Sequence, residues 1–437
     1  MAGVIASRGA AAQERTPPTP AAQVEAPGGA VPAPFARLAR SLRAGGVHLR
    51  LTFVDNFAAN LAGGWRQGSD NAAGLVFGAD FDLARLIDLP GGKIHVTFAQ
   101  YAGRSLSADY IGSADKVQDY NYPYEQFELA QLSYEQRLFH DRLDLLVGRI
   151  NATGQFAHVA YGCDYENAID CPFTLTDITG GFTGFPYVNW GGRVRYATTR
   201  TTYVKAGAFE INPTRLHNSG FDWSTGGATG VIVPVEVGYR TTSAQTRYPS
   251  HIALGGWYNS ARYIDPYLNS KHQPRGLDGG RPLFYQGGRR GLYATGEQVI
   301  YRPDRTGDRN LAVFAIAAAP LDSREIYAFQ AVAGVVYKGP FPARPFDRFG
   351  ALVSYVRFSD REIGYLNDLL LKAHGTSRLS PDQFIFEVNY GARLVPGVVL
   401  YPDLQYIVNP DTSSHPDATA APGNAFVIGT RLVVRFH

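Results

Sequence analysis

FVIGTRLVVRF, residues 426–436, alternates without a break: Phe426, Ile428, Thr430, Leu432, Val434 and Phe436 on one face, Val427, Gly429, Arg431, Val433 and Arg435 on the other. Strict period-2 alternation is a strand with one apolar face. A last strand that carries an aromatic at its end and arginines on its inner face is what a transmembrane barrel uses. The alternative is a half-buried strand of a soluble sandwich, and a single strand does not choose between them.

The same pattern recurs upstream. Val47, Leu49, Leu51 and Phe53 oppose His48, Arg50 and Thr52, and Ile94, Val96 and Phe98 oppose Lys93, His95 and Thr97. Phe384, Phe386, Val388 and Tyr390 oppose Gln383, Glu387 and Asn389. Bounding such runs by their turn residues predicts sixteen strands. They fall near 47–61, 72–86, 92–103, 124–138, 142–150, 187–198, 201–212 and 231–241, then 250–261, 289–301, 310–320, 325–338, 346–359, 382–394, 397–408 and 424–436. Connections after even-numbered strands are short or moderate: IDLPG, HDR, TTR, 242–249, RPDRTGDR, GPFPARP and VPG. Those after strands 3, 5, 7, 9, 13 and 15 are long: 104–123, 151–186, 213–230, 262–288, 360–381 and 409–423. Long and short loops therefore segregate to opposite ends, as in an up-and-down antiparallel outer-membrane barrel with short periplasmic turns and long external loops. Residues 46–437 form this all-β barrel.

At sixteen strands the interior is too wide for side chains to fill and becomes an aqueous lumen. The apolar faces then meet lipid, and His48, Arg50, Lys93, His95, Glu387, Arg431 and Arg435 line water. On a soluble sandwich the same polar residues would face bulk solvent.

Composition narrows the classes. The chain has 437 residues, with Gly 48, Tyr 26 and Phe 25, and only 18% charged residues, against roughly 25% in ordinary soluble domains. A net charge of +3 is too small to imply nucleic acid. The cleanest apolar run, Leu311–Ala319, falls short of the ~18 residues of a spanning helix. There is no Gly-x-Ser-x-Gly elbow, no Gly-rich phosphate loop and no carboxylate pair assignable to one cleft. The chain therefore reads as no enzyme, with no catalytic residue, metal or cofactor.

Residues 1–34 are Ala-, Pro- and Gly-rich without periodicity, a disordered linker or residual export segment. Gly9–Gln13 has the small-residue character of a signal's end, but no apolar stretch precedes it. Residues 35–45 predict a short basic amphipathic helix, with Phe35, Leu38 and Leu42 on one stripe and Arg37, Arg40 and Arg43 on another. Such a helix contacts membrane or nucleic acid, or simply packs on its own domain. Cys163 and Cys171 stand in YGCDYENAIDCPF (161–173). No second Cys or suitable His completes a tetrahedral metal set, His158 being alone, and a redox motif needs closer spacing. A disulfide formed in an export compartment fits better than two free thiols, and closing so short a loop stabilises by ~2–3 kcal/mol.

FIFEVNYGARLVPGVVLYPDLQYIVNP (384–410), with its core Pro402-Asp403-Leu404-Gln405-Tyr406-Ile407, and the terminal RLVVRF resemble the closing strands of the OprB-type carbohydrate-selective porins. GRIN (148–151), WGGRVRY (190–196), AFEINP (208–213) and the paired-Cys loop are similar. The resemblance implies a Gram-negative outer-membrane channel for passive diffusion of glucose and other small sugars, monomeric rather than trimeric. It would contact outer-membrane lipid and lipopolysaccharide, and the barrel-assembly machinery through its last strand. It also implies that 151–186, the third loop of its end, folds inward as a constriction whose shape the Cys pair holds; ordinary bracing of a long loop is the alternative. His437 departs from the pattern, since such barrels usually end on the aromatic.

Sugar passage needs hydroxyl partners that bind weakly enough to release. By parity the candidate lumen residues are Arg50, Lys93, His95, Arg193, Arg195, Glu387, Asp403, Gln405, Arg431 and Arg435. Each could instead pair across the lumen to hold the wall. The competing functions are a channel or exporter for organic acids or oligosaccharides and a secreted β-rich glycosidase.

Overall fold

The computed structural model describes residues 33–436 apart from 115, 119, 121–126, 168–170, 172, 215–218, 305 and 306. Expectations about residues 1–32 and His437 lie outside the described residues. The chain enters through helix α1 (Ala33–Ala44) and then runs as β1 (Val47–Gly64), β2 (Gly68–Asp82), α2 (Leu83–Leu86), β3 (Gly92–Gly103), β4 (Phe127–Leu138) and β5 (Leu143–Ile150). It continues as β6 (Asn189–Ala197), β7 (Thr202–Ile211), β8 (Gly230–Arg240), β9 (Ser250–Asn259), β10 (Tyr263–Asn269), α3 (Arg275–Asp278) and β11 (Pro282–Tyr285). Next come β12 (Arg289–Tyr301), β13 (Asn310–Pro320), β14 (Tyr327–Lys338), β15 (Arg348–Phe358) and α4 (Asp360–Lys372). The chain closes with β16 (Asp382–Val395), β17 (Val398–Val408) and β18 (Gly423–Phe436).

Every strand except β10 and β11 joins one closed antiparallel barrel, and closure is made by β1 against β18, with Leu51 opposite Phe436 and Asn60 opposite Val427. The sixteen-stranded expectation is met, and closure leaves no edge strand to be covered. Alternation decides the faces. On β18, Val427, Arg431, Val433 and Arg435 are buried while Phe426 is exposed. Leu254, Val235, Leu292, Phe386 and Leu404 are all 43–58% exposed. In a closed sheet that exposed apolar row can only be the outside. The packed interior is built by the segment between β5 and β6, whose Phe156, Tyr165, Phe173, Leu175 and Phe182 are almost wholly buried against inward residues such as Phe209, Trp257 and Phe314.

The largest differences from the sequence reading fall in three places. The second strand starts at Gly68 and stops at Asp82 rather than Leu86, because the Asp82 carboxylate accepts the Ala84 N–H at 3.1 Å and caps the helical turn α2. The long connection after β9 holds the β10–β11 hairpin, whose strands are too short and Pro-interrupted to show alternation. The connection after β15 holds α4. Ser359 caps its start, Oγ accepting the Glu362 N–H at 3.1 Å.

β5 is short, only 8 residues, and the connection after β7 completes the wall beside it. Leu129 N–H donates to Ser219 O (2.9 Å), and the fully buried Arg149 donates to Gly220 O (3.1 Å) and Val188 O (3.2 Å). At the opposite end Arg85 donates to Arg43 O and Ala44 O, tying the end of α1 to α2.

Candidate functional site: the lumen and its infolded loop

The loop leaving β5 turns into the barrel and is held there by side chains from the far wall. Glu387 on β16 accepts two consecutive backbone N–H groups, Glu166 at 2.8 Å and Asn167 at 2.9 Å. Glu297 on β12 does the same for Ala160 and Tyr161. Gln330 on β14 accepts Leu175 N–H at 2.6 Å, and Asn259 on β9 donates to Gly180 O at 3.0 Å. The stretch between the two carboxylates contains Cys163, which is disulfide-bonded to Cys171 with Cα atoms 5.2 Å apart. A chain that turns away from a sheet brings unmet amides with it, and ionised carboxylates are their strongest acceptors.

Arginines complete the attachment. Arg431 on β18 donates to Tyr165 O at 2.6 Å and lies 3.7 Å from Glu166. Arg348 on β15 pairs with Asp164 at 2.8 Å, and Asn389 donates to Asp164 O at 3.0 Å. Asn167 reaches Gln405 Oε1 at 2.9 Å. Gln405 in turn donates to Asp403 at 3.0 Å, and Asp403 lies so close to Gly429 of the next strand that a Cβ there would sit 2.1 Å from its carboxylate.

The ten parity-chosen residues therefore divide in two. Glu387, Asp403, Gln405, Arg431 and Arg435 are all 6% exposed or less. Glu387, Gln405 and Arg431 hold that loop directly. Arg50, Lys93, His95, Arg193 and Arg195 lie on the wall from β1 to β6 and are half-buried, the Arg193 side chain only 7% exposed. There Arg50 pairs with Asp80 at 3.0 Å, and His95 bridges Asp80 (2.7 Å) and Glu135 (2.9 Å). Arg193 pairs with Asp144 at 2.8 Å and donates to Gln155 Oε1 of the loop at 3.0 Å, while Arg195 lies over the Tyr203 ring at 4.6 Å.

Several anchors escaped the sequence reading. Lys205 pairs with Glu236 at 2.7 Å and donates to Gln155 O at 2.6 Å, and the Tyr203 and Tyr293 hydroxyls each donate to Glu236 at 2.8 Å. Glu297 was available by parity, since exposed Leu292 puts Tyr293, Thr295 and Glu297 on the inner face. Within the loop, burial pushes His158 down to about 4, so its imidazole is neutral at pH 7. Burial likewise pushes the Asp177 carboxyl up to about 6.

A barrel with an infolded third loop has relatives. The description "Carbohydrate-selective porin, OprB family" matches residues 66–436. Porin B of Pseudomonas aeruginosa is 27% identical over 411 residues, covering 90% of this chain and 88% of that one. The putative porin QuiX of Acinetobacter baylyi is 23% identical over 390 residues, covering 84% and 85%. Among solved structures, the high-pH form of Pseudomonas putida OprB superimposes with a TM-score of 0.80 at 25% identity, covering 91% of this chain and 96% of that one. The chain belongs to the OprB family of carbohydrate-selective porins.

Proposed function

We propose that sugar crosses along the partly exposed wall carrying Arg50, Lys93, His95, Arg193 and Arg195, past a constriction that Glu387, Gln405 and Arg431 hold in place. As a family member the protein is an integral outer-membrane channel that lets sugars diffuse selectively and passively. The observation that carries the division of labour is the paired carboxylate clamp. Glu297 and Glu387 each receive two adjacent loop amides and are spent on the loop rather than offered to solute. The exposed wall keeps guanidinium and imidazole donors beside Asp80 and Glu135 acceptors. Neutral hydroxyls exchange hydrogen bonds with such mixed pairs at little cost, so binding is weak and repeated, as conduction requires. No residue is assigned a catalytic step.

The outer apolar row suits acyl chains of lipopolysaccharide and phospholipid. The last strand, with Phe436 opposite Leu51, is the segment offered to the barrel-assembly machinery, and the channel works as a monomer. Single-channel conductance in a planar bilayer, titrated with glucose and then with a carboxylate of similar size, tests the reading. Saturable block by glucose supports it. Block by the carboxylate alone overturns the substrate, and absence of a channel from folded protein overturns the porin assignment.

A further inference from the structure

The inner wall at the short-turn end holds a charge that no described carboxylate offsets. Arg348, Arg431 and Arg435 project from β15 and β18 around Tyr401 of β17. Arg348 is matched by Asp164 at 2.8 Å, and Arg431 faces Glu166 at 3.7 Å with its guanidinium over the Tyr401 ring at 4.8 Å. Arg435 has no carboxylate partner among the described residues. It is 6% exposed, and its Nε and Nη1 atoms have no hydrogen-bond partner. Tyr401 is 2% exposed and its hydroxyl is also without a partner. The surroundings give no relief, because Val54, Val399 and Val433 pack as an apolar cluster with Tyr401, and Val433 shares the inner face with Arg435. The backbone holds the site rigidly: Arg435 N–H donates to Gly397 O at 2.8 Å, and the Tyr401 ring rests where a Cβ on Gly391 would stand 2.4 Å from it.

A buried guanidinium without a counter-charge costs several kcal/mol, and buried donors in native proteins almost always have an acceptor. The Tyr401 hydroxyl, its ring under the Arg431 guanidinium, is a second unmatched donor on the adjoining strand. We propose that Arg435 and Tyr401 form a binding site for one small oxyanion, a carboxylate or phosphate, in the lumen wall between β17 and β18. The anion accepts from Arg435 and from the Tyr401 hydroxyl, with Arg348 and Arg431 adding field but already matched. The site is separate from the sugar-contacting wall and does not depend on that assignment.

The test is calorimetric titration of the folded, detergent-solubilised full chain with inorganic phosphate and then acetate, followed by the same titration of Arg435→Gln and Tyr401→Phe. One site per chain is expected, weakened by at least tenfold in Arg435→Gln and by about threefold to tenfold in Tyr401→Phe, the range of one hydrogen bond. Tyr401→Phe leaves the barrel's packing intact, so it remains decisive if Arg435→Gln fails to assemble. No binding of either anion at tens of millimolar overturns the proposal, as does unchanged affinity in Tyr401→Phe. Competition by glucose for the phosphate site would place these residues on the sugar path and overturn the separate anion site.

Discussion

Replacing Glu387 by Gln tests whether the constriction hangs from its carboxylates. Glu387 is 1% exposed and accepts three donors: the amides of Glu166 (2.8 Å) and Asn167 (2.9 Å) and the side chain of Asn389 (3.0 Å). Glutamine keeps the volume but turns one oxygen into a donor that confronts an amide donor. One charge-assisted bond, worth about 1.5–3 kcal/mol, is lost, and another falls to the neutral range of about 1 kcal/mol. Burying an amide instead of a charge returns part of this, leaving a net cost of about 2–4 kcal/mol. That raises the population in which the segment around Cys163 is detached by roughly 30- to 1,000-fold. Glu297, Gln330 and Asn259 still hold the rest of the loop, so the opening stays local. Amide exchange at Glu166 and Asn167 should quicken by that factor, and single-channel traces should show flicker to a higher conductance. Unchanged exchange at these amides in a folded Glu387→Gln barrel would refute the clamp.

Three further outcomes follow from the same geometry. Changing both Cys163 and Cys171 to Ser removes a constraint of ~2–3 kcal/mol on a loop closed over eight positions; barrel heat-modifiability should persist while conductance noise rises, and unchanged noise would assign the disulfide no role at the constriction. Burial, reinforced by Asp411 and opposed by Arg275, pushes Glu362 on α4 up to about 7. The folded helix thus holds the proton more tightly than the free chain does, so α4 docks best below about pH 4.5 and loses about 3 kcal/mol as pH rises through 7. Protection of the amides across 360–372, taken relative to intrinsic exchange at each pH, should be lower at pH 8 than at pH 5, and Glu362→Gln should abolish that difference. Arg149→Leu removes the Arg149 donor from Gly220 O and Val188 O, at about 0.5–1.5 kcal/mol per bond, and should make the chain near residues 219–223 newly cleavable by added protease; continued resistance would show that Leu129 and its neighbours hold this segment without Arg149.

The strand count, the closure and the direction of every parity-chosen residue were legible in the chain, because side chains alternate along a strand whatever it pairs with. Once the barrel exceeds the size that side chains fill, that alternation also assigns lipid and lumen. The segregation of long loops to one end followed from length alone. The sequence reading runs the second strand to residue 86 and gives 360–381 only as a long connection, so it misses α2 and α4, which Asp82 and Ser359 cap. What parity could not resolve is why Glu387 and Arg50, both inward, do different work. Inward-facing is a property of one strand. Being covered depends on a loop more than two hundred residues away in the chain, whose amides must find acceptors once it leaves the sheet. Glu387 meets that loop and Arg50 does not, so the division between loop anchors and uncovered wall exists only in the closed barrel.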